Sequence, residues 1–545
     1  MARIRSFHRA RPAHLLAGLT LLTSVGLPLL ESPPARAATT TPAAPGAAKG
    51  DFNNDGYADI AIGVPLESLT FSMQGAVQII YGSATGLDAV AAPGHPGSQM
   101  LVQPAPYAQE LGAFGLALAV GDFNGDGFGD LAVGANGEDI GVGGNNEGTV
   151  TVFYGSAKGL VPTSAQRLTE ATPTAGNQFG FVLAAGDFNG DRKDDLAVDV
   201  LNKVVNGVPG AGAVLVYRGG STGLVGTNPA QLDADEPGTK GVATKFAQFG
   251  SELEVGDVNN DGRSDLAVAA PFDTVKGKLG AGAVHLFFGC SGGPNCTLLN
   301  TATDQYISQA TDGVQGSPEV DDGFGLALAM GNFGRGPGAD LAVGVPNETV
   351  NGAAAAGAVQ VFYSDGAQLT VAGSQFLNQG NGWIADTAEA GDKFGAVLAA
   401  GNLGKGPEAE LVIGTTFEDV GAVADAGVVQ VVYGSPDGLS RSASQLLTQD
   451  SPNVPSAVTA GFGFGKAVAI ANFGDSPEGD LAISSRDTVN GFAAAGAVTV
   501  LYGSSGRIGN ATHVQYWTQD SPGIADTAEA GDLFGGVNGQ PGLTG

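Results

Sequence analysis

Short apolar runs alternate along this chain with Gly-rich polar segments, and the same order of segments recurs seven times at intervals of 65 to 75 residues. Each unit contains Phe-Gly, an apolar run, a loop rich in Asp and Asn, a second apolar run, and a Gly-Ala-Val motif that opens a third. A fixed period of this size is typical of repeat architectures. We therefore expect one repeat array. Its loops begin at Asp51, Asp122, Asp187, Asp257, Asn332, Asn402 and Asn472.

The second unit shows which elements one repeat predicts. Residues 114–122 alternate loosely and end before a loop, residues 131–134 are apolar, and residues 148–156 are rich in β-branched and aromatic side chains. A fourth, more polar segment precedes the next Phe-Gly, and no stretch follows the helical period of 3.6. Four strands repeated seven times predict an all-β fold, a seven-bladed β-propeller of four-stranded antiparallel blades. A linear β-solenoid is the alternative, although its coils would be shorter and more uniform.

The two ends of the array predict how the ring closes. The first loop, at Asp51, has no Phe-Gly before it, whereas an extra Phe534-Gly535 follows the seventh unit. We expect the segment from Phe534 to Val537 to complete the first blade, because closure of the ring removes exposed strand edges. The propeller domain is then 51–545, preceded by a flexible linker over 38–50.

Residues 1–37 have the pattern of an export signal. Four arginines precede an apolar run over 15–30, and Ala37 ends a small-x-small triplet. The run is short and contains Gly and Pro, which disfavours the alternative of a transmembrane anchor. We expect cleavage near Ala37 and a secreted, extracellular protein without membrane insertion.

Composition restricts the partners and the fold class. The net charge is −30, and such a surface repels nucleic acid and anionic lipid. Glycine makes up 89 of 545 residues without a three-residue period, so a collagen-like fold is excluded and the glycines indicate turns. The two cysteines, Cys290 and Cys296, are expected to form a small disulfide in an exported protein. A zinc site is the alternative, but no further Cys or nearby His completes it.

Four loops have the form Asp-x-Asn-x-Asp-x-x-x-Asp. Side-chain oxygens at positions 1, 3, 5 and 9, with a backbone carbonyl at position 7, suit a hard cation of the size of Ca²⁺. Gly at position 6 permits the sharp turn in three of them, whereas Arg192 in the third predicts weaker binding. We expect about four Ca²⁺ sites; Asx-rich turns without metal are the alternative. The predicted ligands are Asp51, Asn53, Asp55, Tyr57 and Asp59; Asp122, Asn124, Asp126, Phe128 and Asp130; Asp187, Asn189, Asp191, Lys193 and Asp195; and Asp257, Asn259, Asp261, Arg263 and Asp265.

The last three loops, over 332–340, 402–410 and 472–480, have lost most of these ligands. Position 1 is Asn, position 3 is Gly, position 5 is Gly or Ser, and a Pro stiffens the turn. We expect them to be free of metal and to keep their shape through backbone hydrogen bonds.

Phe-Gly at 114–115, 179–180, 249–250, 324–325, 394–395, 464–465 and 534–535 alternates with Gly-Ala-Val or close variants that begin at residues 75, 148, 212, 282, 357, 427 and 496. In these motifs the chain resembles the FG-GAP repeat family. That family includes the N-terminal propeller of integrin α subunits and the propeller of glycosylphosphatidylinositol-specific phospholipase D. The resemblance implies calcium in the hairpin loops on one face and ligand contacts on the opposite face.

Two functions follow from these expectations. The leading hypothesis is a monomeric, calcium-binding adhesion or binding module for extracellular protein or glycan ligands. The alternative, by family analogy, is a secreted hydrolase acting on an ester or phosphodiester. Its one enzyme-like string, residues 219–223, aligns with turns in other units, so no catalytic residue is assigned.

Acidic residues also recur in the loops between the second and third strands. They predict either simply solvated loops or an acidic rim that binds cationic or polyhydroxylic ligands. These residues are Glu67, Glu138, Asp139, Asp273, Glu348, Glu418, Asp419 and Asp487.

Overall fold

The structure, a computed structural model, describes residues 50–141, 145–292, 296, 298–442, 444–508, 513–536 and 543–544. Their 28 strands form seven four-stranded antiparallel sheets, which are the blades of a propeller. Within this part of the chain the only helical element is a 3-10 turn over Gln379–Asn381. The predicted fold class is therefore confirmed. The predicted signal segment 1–37 and residues 38–49 of the linker lie outside the described residues.

Each blade uses four strands that follow one another along the chain, except that the inner strand of blade 1 comes from the C-terminal end. Blade 1 contains β1 (Ile60–Val64), β2 (Ala76–Ile80) and β3 (Ser98–Leu101); blade 2, β4 (Leu118–Gly121), β5 (Asp130–Ala135), β6 (Thr149–Tyr154) and β7 (Val161–Leu168); blade 3, β8 (Phe179–Gly186), β9 (Asp195–Val200), β10 (Ala213–Tyr217) and β11 (Ala230–Leu232). Blade 4 contains β12 (Glu252–Gly256), β13 (Asp265–Ala270), β14 (Ala283–Gly289) and β15 (Leu299–Ile307); blade 5, β16 (Ala327–Gly331), β17 (Asp340–Val345), β18 (Ala358–Ser364) and β19 (Leu369–Leu377). Blade 6 contains β20 (Val397–Gly401), β21 (Glu410–Thr415), β22 (Val428–Val432) and β23 (Ser444–Leu447); blade 7, β24 (Val468–Ala471), β25 (Asp480–Ser485), β26 (Ala497–Leu501) and β27 (Val514–Trp517); β28 (Leu543–Thr544) completes blade 1.

The two repeated motifs meet where one blade contacts the next. Gly75 of blade 1 has a φ of +85°, and a Cβ added there would lie 2.2 Å from the carbonyl oxygen of Phe114 in blade 2. The Phe114 N–H donates to the carbonyl of Gln74 (3.0 Å), and the Gly115 N–H donates to that of Gly134 within its own blade (3.0 Å). Glycine is required because only a residue without Cβ admits the neighbouring backbone so closely. The same contact recurs between the other blades.

A second contact between blades explains the turns that follow the third strands. Tyr81, at the end of β2, is fully buried, and its hydroxyl accepts a hydrogen bond from the N–H of Leu160 in blade 2 (3.1 Å). Tyr502 of blade 7 does the same for the N–H of Leu87 in blade 1 (2.7 Å), so this contact also spans the closing junction. A buried Tyr therefore satisfies a backbone donor of the neighbouring blade while its ring fills the space between the sheets.

The C-terminal segment closes the ring, as predicted, but the strand that does so lies further along the chain. Phe534 donates its N–H to Ala495 of blade 7 (2.8 Å), and Gly535 donates to Gly63 of blade 1 (3.1 Å), so this eighth Phe-Gly joins the first and last blades. The inner strand of blade 1 is β28, paired with Ala61 and Ile62, and the prediction of residues 534–537 for it was wrong. Val537 lies outside the described residues.

The direction of the strands defines two faces. Because strands in a blade are antiparallel, loops after the first and third strands lie at one end, called here the hairpin face. Loops after the second and fourth strands lie at the other end, called here the opposite face. The disulfide expected between Cys290 and Cys296, after β14, is formed, with an S–S distance of 2.00 Å.

Candidate functional site

The first Asp-rich loop folds around its first carboxylate. Asp51 accepts the N–H groups of Asp55 (3.1 Å) and Gly56 (2.8 Å) on its two oxygens. Asp55 in turn accepts the N–H of Tyr57 (3.1 Å), and its second oxygen accepts a hydrogen bond from the Asn53 amide (3.0 Å). The loop is thus wound around acidic oxygens on the hairpin face.

The other three Asp-rich loops share this geometry. In each, the carboxylate at position 1 accepts the N–H groups at positions 5 and 6, and that at position 5 accepts the N–H of position 7. The donors and acceptors are Asp126 and Gly127 to Asp122, and Phe128 to Asp126; Asp191 and Arg192 to Asp187, and Lys193 to Asp191; and Asp261 and Gly262 to Asp257, and Arg263 to Asp261. All four predicted sites therefore have the turn that brings positions 1 and 5 together.

Position 9 has a role that the sequence analysis missed. Asp59 is fully buried, and its two oxygens accept the N–H groups of Phe52 (2.8 Å) and Gly82 (2.9 Å), which ties the loop to the end of the third strand. The equivalent Asp130, Asp195, Asp265, Asp340 and Asp480 accept the same two bonds, and Glu410 accepts the first of them. An acid at position 9 therefore builds the hairpin in all seven blades, including those without the other ligands.

Burial dominates the electrostatics at position 9 in both kinds of loop, and in the Asn loops it raises the pKa of Asp480 to about 8. Burial raises the pKa of Asp59 well above its usual value, and the nearby Asp51 and Asp55 raise it further. Burial likewise raises the pKa of Asp130 to about 8 and that of Asp265 to about 7. Charged carboxylates held together at low exposure repel one another unless a cation compensates them.

The loop carboxylates are nevertheless not gathered as tightly as bound ligands would be. Among the described residues, the one group of three carboxylates whose oxygens all lie within 4.8 Å of one another is Glu67, Glu529 and Asp532, which is outside the hairpin loops. Binding a cation in the first loop would therefore require the side chains at positions 3 and 5 to turn inward from their mutual hydrogen bond. The donor set fits Ca²⁺, because every group offered is oxygen.

The third loop carries its own positive charges. Arg218 and Lys193 lie 2.7 Å and 3.6 Å from the carboxylate of Asp191. Burial favours a higher pKa of Asp191, but the hydrogen bond from Arg218 and the charge of Lys193 lower it overall. At position 3, the Asn189 amide donates to Asp195 (3.1 Å) instead of to position 5. These contacts add to Arg192, with its φ of +66°, as reasons for weaker cation binding in this loop.

The three Asn loops keep their turn by a different hydrogen bond. Asn332, Asn402 and Asn472 accept, on the side-chain oxygen, the N–H two residues later at 2.8–3.0 Å. The expected backbone hydrogen bonds are thus assisted by an Asx-type contact. These turns therefore form without carboxylates at positions 1, 3 and 5.

On the opposite face, most of the acids expected to form an exposed rim are buried. Glu67, Glu138, Glu418 and Asp487 are only 1–3 % exposed, whereas Asp419 is exposed. Five of these acids accept a hydrogen bond from a Gln of the preceding blade: Glu67 from Gln519, Glu138 from Gln103, Glu348 from Gln309, Glu418 from Gln379 and Asp487 from Gln449. These five acids therefore join blades and are not simply solvated.

Exposed apolar side chains concentrate on the opposite face. Of the twelve large hydrophobic residues in the described part of the chain that are at least 39 % exposed, only Val90 and Val225 lie in loops of the hairpin face. The other ten, called here the apolar loop surface, are Leu69, Phe71, Tyr107, Leu111, Val204, Val242, Phe246, Leu279, Val320 and Phe492. They come from loops of blades 1, 3, 4 and 7 and are distributed over this face, and exposed apolar side chains mark an interaction surface where they adjoin one another.

The side chains that a hydrolase would need are not brought together. Ser221 is exposed in a turn of the hairpin face. His95 contacts the carbonyl of Gly82 and accepts the N–H of Gly97 (3.2 Å). The buried His285 contacts Asp304 (3.1 Å), and His513 contacts Asp475 (3.2 Å). Within the described chain no histidine hydrogen-bonds a serine hydroxyl, so no nucleophile and base are paired.

Comparison with known proteins identifies the repeats. The FG-GAP repeat model matches residues 43–80, 114–153 and 249–287. Phosphatidylinositol-glycan-specific phospholipase D of Homo sapiens is 30 % identical over 333 residues, which cover 58 % of this chain and 36 % of that protein. Integrin alpha-5 of Xenopus laevis is 30 % identical over 253 residues, 45 % of this chain and 21 % of that protein. Integrin alpha-PS2 of Drosophila melanogaster is 30 % identical over 236 residues, which cover 42 % of this chain and 15 % of that protein.

The chain thus spans about a third of the length of the phospholipase and a smaller share of the two integrin chains. The V. cholerae biofilm matrix protein Bap1 is matched over 90 % of this chain and 81 % of that one, at 10 % identity and a TM-score of 0.20, too low to support any argument. In the described part of the chain, no helix has the length and apolarity that crossing a bilayer requires.

Proposed function

We propose that this chain, an FG-GAP repeat protein homologous to integrin α chains and to phosphatidylinositol-glycan-specific phospholipase D, is a secreted, calcium-stabilised binding or adhesion module. It presents its ligand surface on the opposite face and holds its cations on the hairpin face. The ligand is an extracellular protein or a glycan, and the propeller acts as a monomer.

The apolar loop surface is the observation that carries this proposal. Phe246 and Leu279 are 49 % and 66 % exposed in loops of neighbouring blades 3 and 4, and Phe71 and Leu111 are 43 % and 55 % exposed at the junction of blades 1 and 2. The hydrogen bond from the Leu111 N–H to the Ser72 carbonyl (3.0 Å) links two of these loops. Large apolar side chains held on ordered loops supply the central contacts of protein interfaces.

Calcium in this proposal has a structural role. The Asp-rich loops of blades 1–4 close on about four Ca²⁺ ions, with the ligands predicted above. The backbone turn and the oxygen-only donor set support this assignment. The ions would neutralise carboxylates that otherwise repel one another and so hold the hairpins in their folded shape.

A binding experiment tests the ligand surface. The full chain would be applied, in calcium, to arrays of extracellular-matrix proteins and of glycans. Phe246→Ser combined with Leu279→Ser should abolish the strongest signal. The matched control is Val90→Ser combined with Val225→Ser, which alters the exposed apolar residues of the hairpin face. Equal loss of binding in both variants, or in neither, would contradict the proposal.

Further measurements test whether the protein is secreted, whether it is a monomer and whether it is a hydrolase. N-terminal sequencing of protein recovered from culture medium should begin close to Ala38, and light scattering should give the mass of one chain. Turnover of generic ester or phosphodiester substrates that is abolished by Ser221→Ala would favour the hydrolase instead.

A further inference from the structure

A second group of acids lies on the opposite face, where blade 7 meets blade 1. Glu67 comes from the loop between β1 and β2, whereas Glu529 and Asp532 come from the segment after β27. One carboxylate oxygen of each lies within 4.8 Å of the other two. Glu67 and Asp532 are 2 % and 3 % exposed, and Glu529 is exposed to solvent.

A buried amide oxygen without a partner lies in the same place. Gln519 is 3 % exposed and donates its amide N–H to Glu67 (2.6 Å), but its Oε1 is buried without a hydrogen-bond partner. Gln519, Glu67 and Asp526 line one cavity of about 10 Å³ together with Val64, Ala76, Gln78 and Met100, whereas Glu529 and Asp532 do not line it. Oδ2 of Asp526 is buried and unpartnered as well. Buried polar oxygens are normally satisfied. The side-chain oxygens of Gln103, Gln309, Gln379 and Gln449 are unpartnered as well, so the Asp526 oxygen close to Glu67 is what distinguishes this junction and points to a missing positive partner.

The charge at this junction is not balanced by the chain itself. At the junction of blades 1 and 2, Arg167 forms an ion pair with Glu138, and at the next junction Lys203 pairs with Glu170. No ion pair to a basic side chain is formed by the four acids at the 7–1 junction among the described residues. Burial, together with the nearby charges of Asp532 and Asp526, raises the pKa of Glu67 to about 7. Such repulsion is relieved when a cation is bound.

Part of this arrangement recurs at the junction of blades 5 and 6, where the carboxylates are less closely gathered. The sequence ADTAEAGD occupies both 385–392 and 525–532. Glu418, which is 1 % exposed, accepts a hydrogen bond from Gln379 (2.5 Å), and Oε1 of Gln379 is again buried without a partner. Asp392, Asp386 and Glu389 lie close enough to raise the pKa of Glu418, after burial itself. At the junction of blades 6 and 7 the corresponding residues are Ser456, Thr459 and Phe462, which offer no carboxylate.

We propose that the 7–1 junction binds one hard divalent cation of the Ca²⁺ type through Glu67, Asp526, Glu529, Asp532 and the amide oxygen of Gln519. Residues 379, 386, 389, 392 and 418 form the equivalent site at the 5–6 junction. Carboxylate and amide oxygens of this number suit Ca²⁺, which accepts six to eight flexible oxygen ligands. The ion joins the last blade to the first on the face that carries the apolar loop surface. It is independent of the hairpin loops, which lie on the other face.

Counting bound calcium tests the site. Asp526→Asn combined with Glu529→Gln removes two charges but keeps the side-chain oxygen that accepts the Thr527 N–H (2.8 Å). Equilibrium dialysis of the full chain should show one Ca²⁺ fewer per molecule than the parent. Glu110→Gln, an exposed acid on the same face, is the control and should not change the count. An unchanged count in the double variant would overturn the proposal.

Thermal melting distinguishes the loss of a bound ion from a general folding defect in the double variant. In calcium, the double variant should melt below the parent, because it has lost the ion that joins the two blades. In chelator, the order should reverse, because the variant carries fewer mutually repelling carboxylates. A variant that melts lower by the same amount in both buffers would show that the acids serve the fold alone, and would overturn the proposal.

Discussion

The hairpin loops of blades 1–4 and those of blades 5–7 share the acid at position 9 but differ in their turns and in their other side chains. In both sets the acid at position 9 accepts two buried N–H groups, as Asp130 and Asp480 show. Only the first set has Asp, Asn and Asp at positions 1, 3 and 5; in the second, an Asn such as Asn472 holds the loop. The comparison separates two roles that one motif combines. Position 9 builds the hairpin, and positions 1, 3 and 5 are available for a cation.

Alanine at position 9 should have the largest effect, whether or not the loop has the cation ligands. Asp480→Ala leaves the buried N–H groups of Phe473 and Gly503 without an acceptor. Each such group costs about 1–3 kcal/mol, so the free energy of unfolding should fall by roughly 2–6 kcal/mol. Urea denaturation in chelator measures this loss, and Asp480→Asn, which keeps one acceptor, should lose less. Full stability of the Ala variant would remove the structural role assigned to position 9.

Alanine at position 5 should act only through calcium. One site filled at a hundred times its Kd stabilises a fold by about 2.7 kcal/mol. Asp126→Ala should lose a stabilisation of that order in calcium and almost nothing in chelator. Ser476→Ala, at position 5 of blade 7, is the matched control and should show no calcium-dependent change. An equal loss for Asp126→Ala in both buffers would mean that the first set of loops is structural as well.

Asp199 in β9 shows how a buried acid behaves without a candidate cation site. Burial raises its pKa well above the usual value, and its Oδ2 has no hydrogen-bond partner. Because the folded pKa exceeds the unfolded one, the folded state binds the proton more tightly. Stability is therefore full below the unfolded pKa and falls by about 1.4 kcal/mol for each pH unit between the two values.

Asp199→Ser should remove that dependence on pH. The equivalent Ser484 in β25 accepts the N–H of Ala467 at 2.8 Å, as Asp199 accepts that of Val182 at 2.8 Å. Melting curves in chelator between about pH 4 and pH 7 should show the melting temperature of the variant increasing relative to that of the parent as the pH rises. A constant difference across this range would mean that Asp199 does not take up a proton on folding.

Arg218→Ala should have the smallest effect, confined to the third loop. Arg218 is largely exposed, and its ion pair with Asp191 is worth about 0.2–1 kcal/mol. Its removal should therefore raise the calcium affinity of this loop by roughly 1.4- to five-fold. Calorimetric titration of a chain whose other three Asp-rich loops carry Asn at position 5 would isolate the change. Unaltered affinity would show that the guanidinium does not compete with the cation.

The repeated parts of this fold could be predicted because seven copies report the same geometry. Phe114 against Gly75 is one example, since both motifs recur at fixed places and their contact follows from the ring. The position of β28 could not be predicted, because it lies eight residues after Gly535, whereas β4 begins three residues after Gly115. The repeats offer no precedent for this longer interval.

At the candidate site, the features that could not be predicted from the sequence were mainly the contacts between blades. Burial of Glu67 depends on Gln519, which is 452 residues away, so no local pattern marks it. A signal was nevertheless present, because Gln recurs at 103, 309, 379, 449 and 519, after the outer strands of five blades. The acid at position 9 was also visible in all seven loops, including Asp340 and Glu410, where the other ligands are lost.

The central claim is that positions 1, 3 and 5 of the first four hairpins hold calcium. Equilibrium dialysis should compare the parent chain with a variant that carries Asp55→Asn, Asp126→Asn, Asp191→Asn and Asp261→Asn together. The claim predicts four fewer Ca²⁺ ions per molecule in the variant at saturating calcium, with the third loop losing the weakest of them. A variant that retains the calcium content of the parent would contradict it.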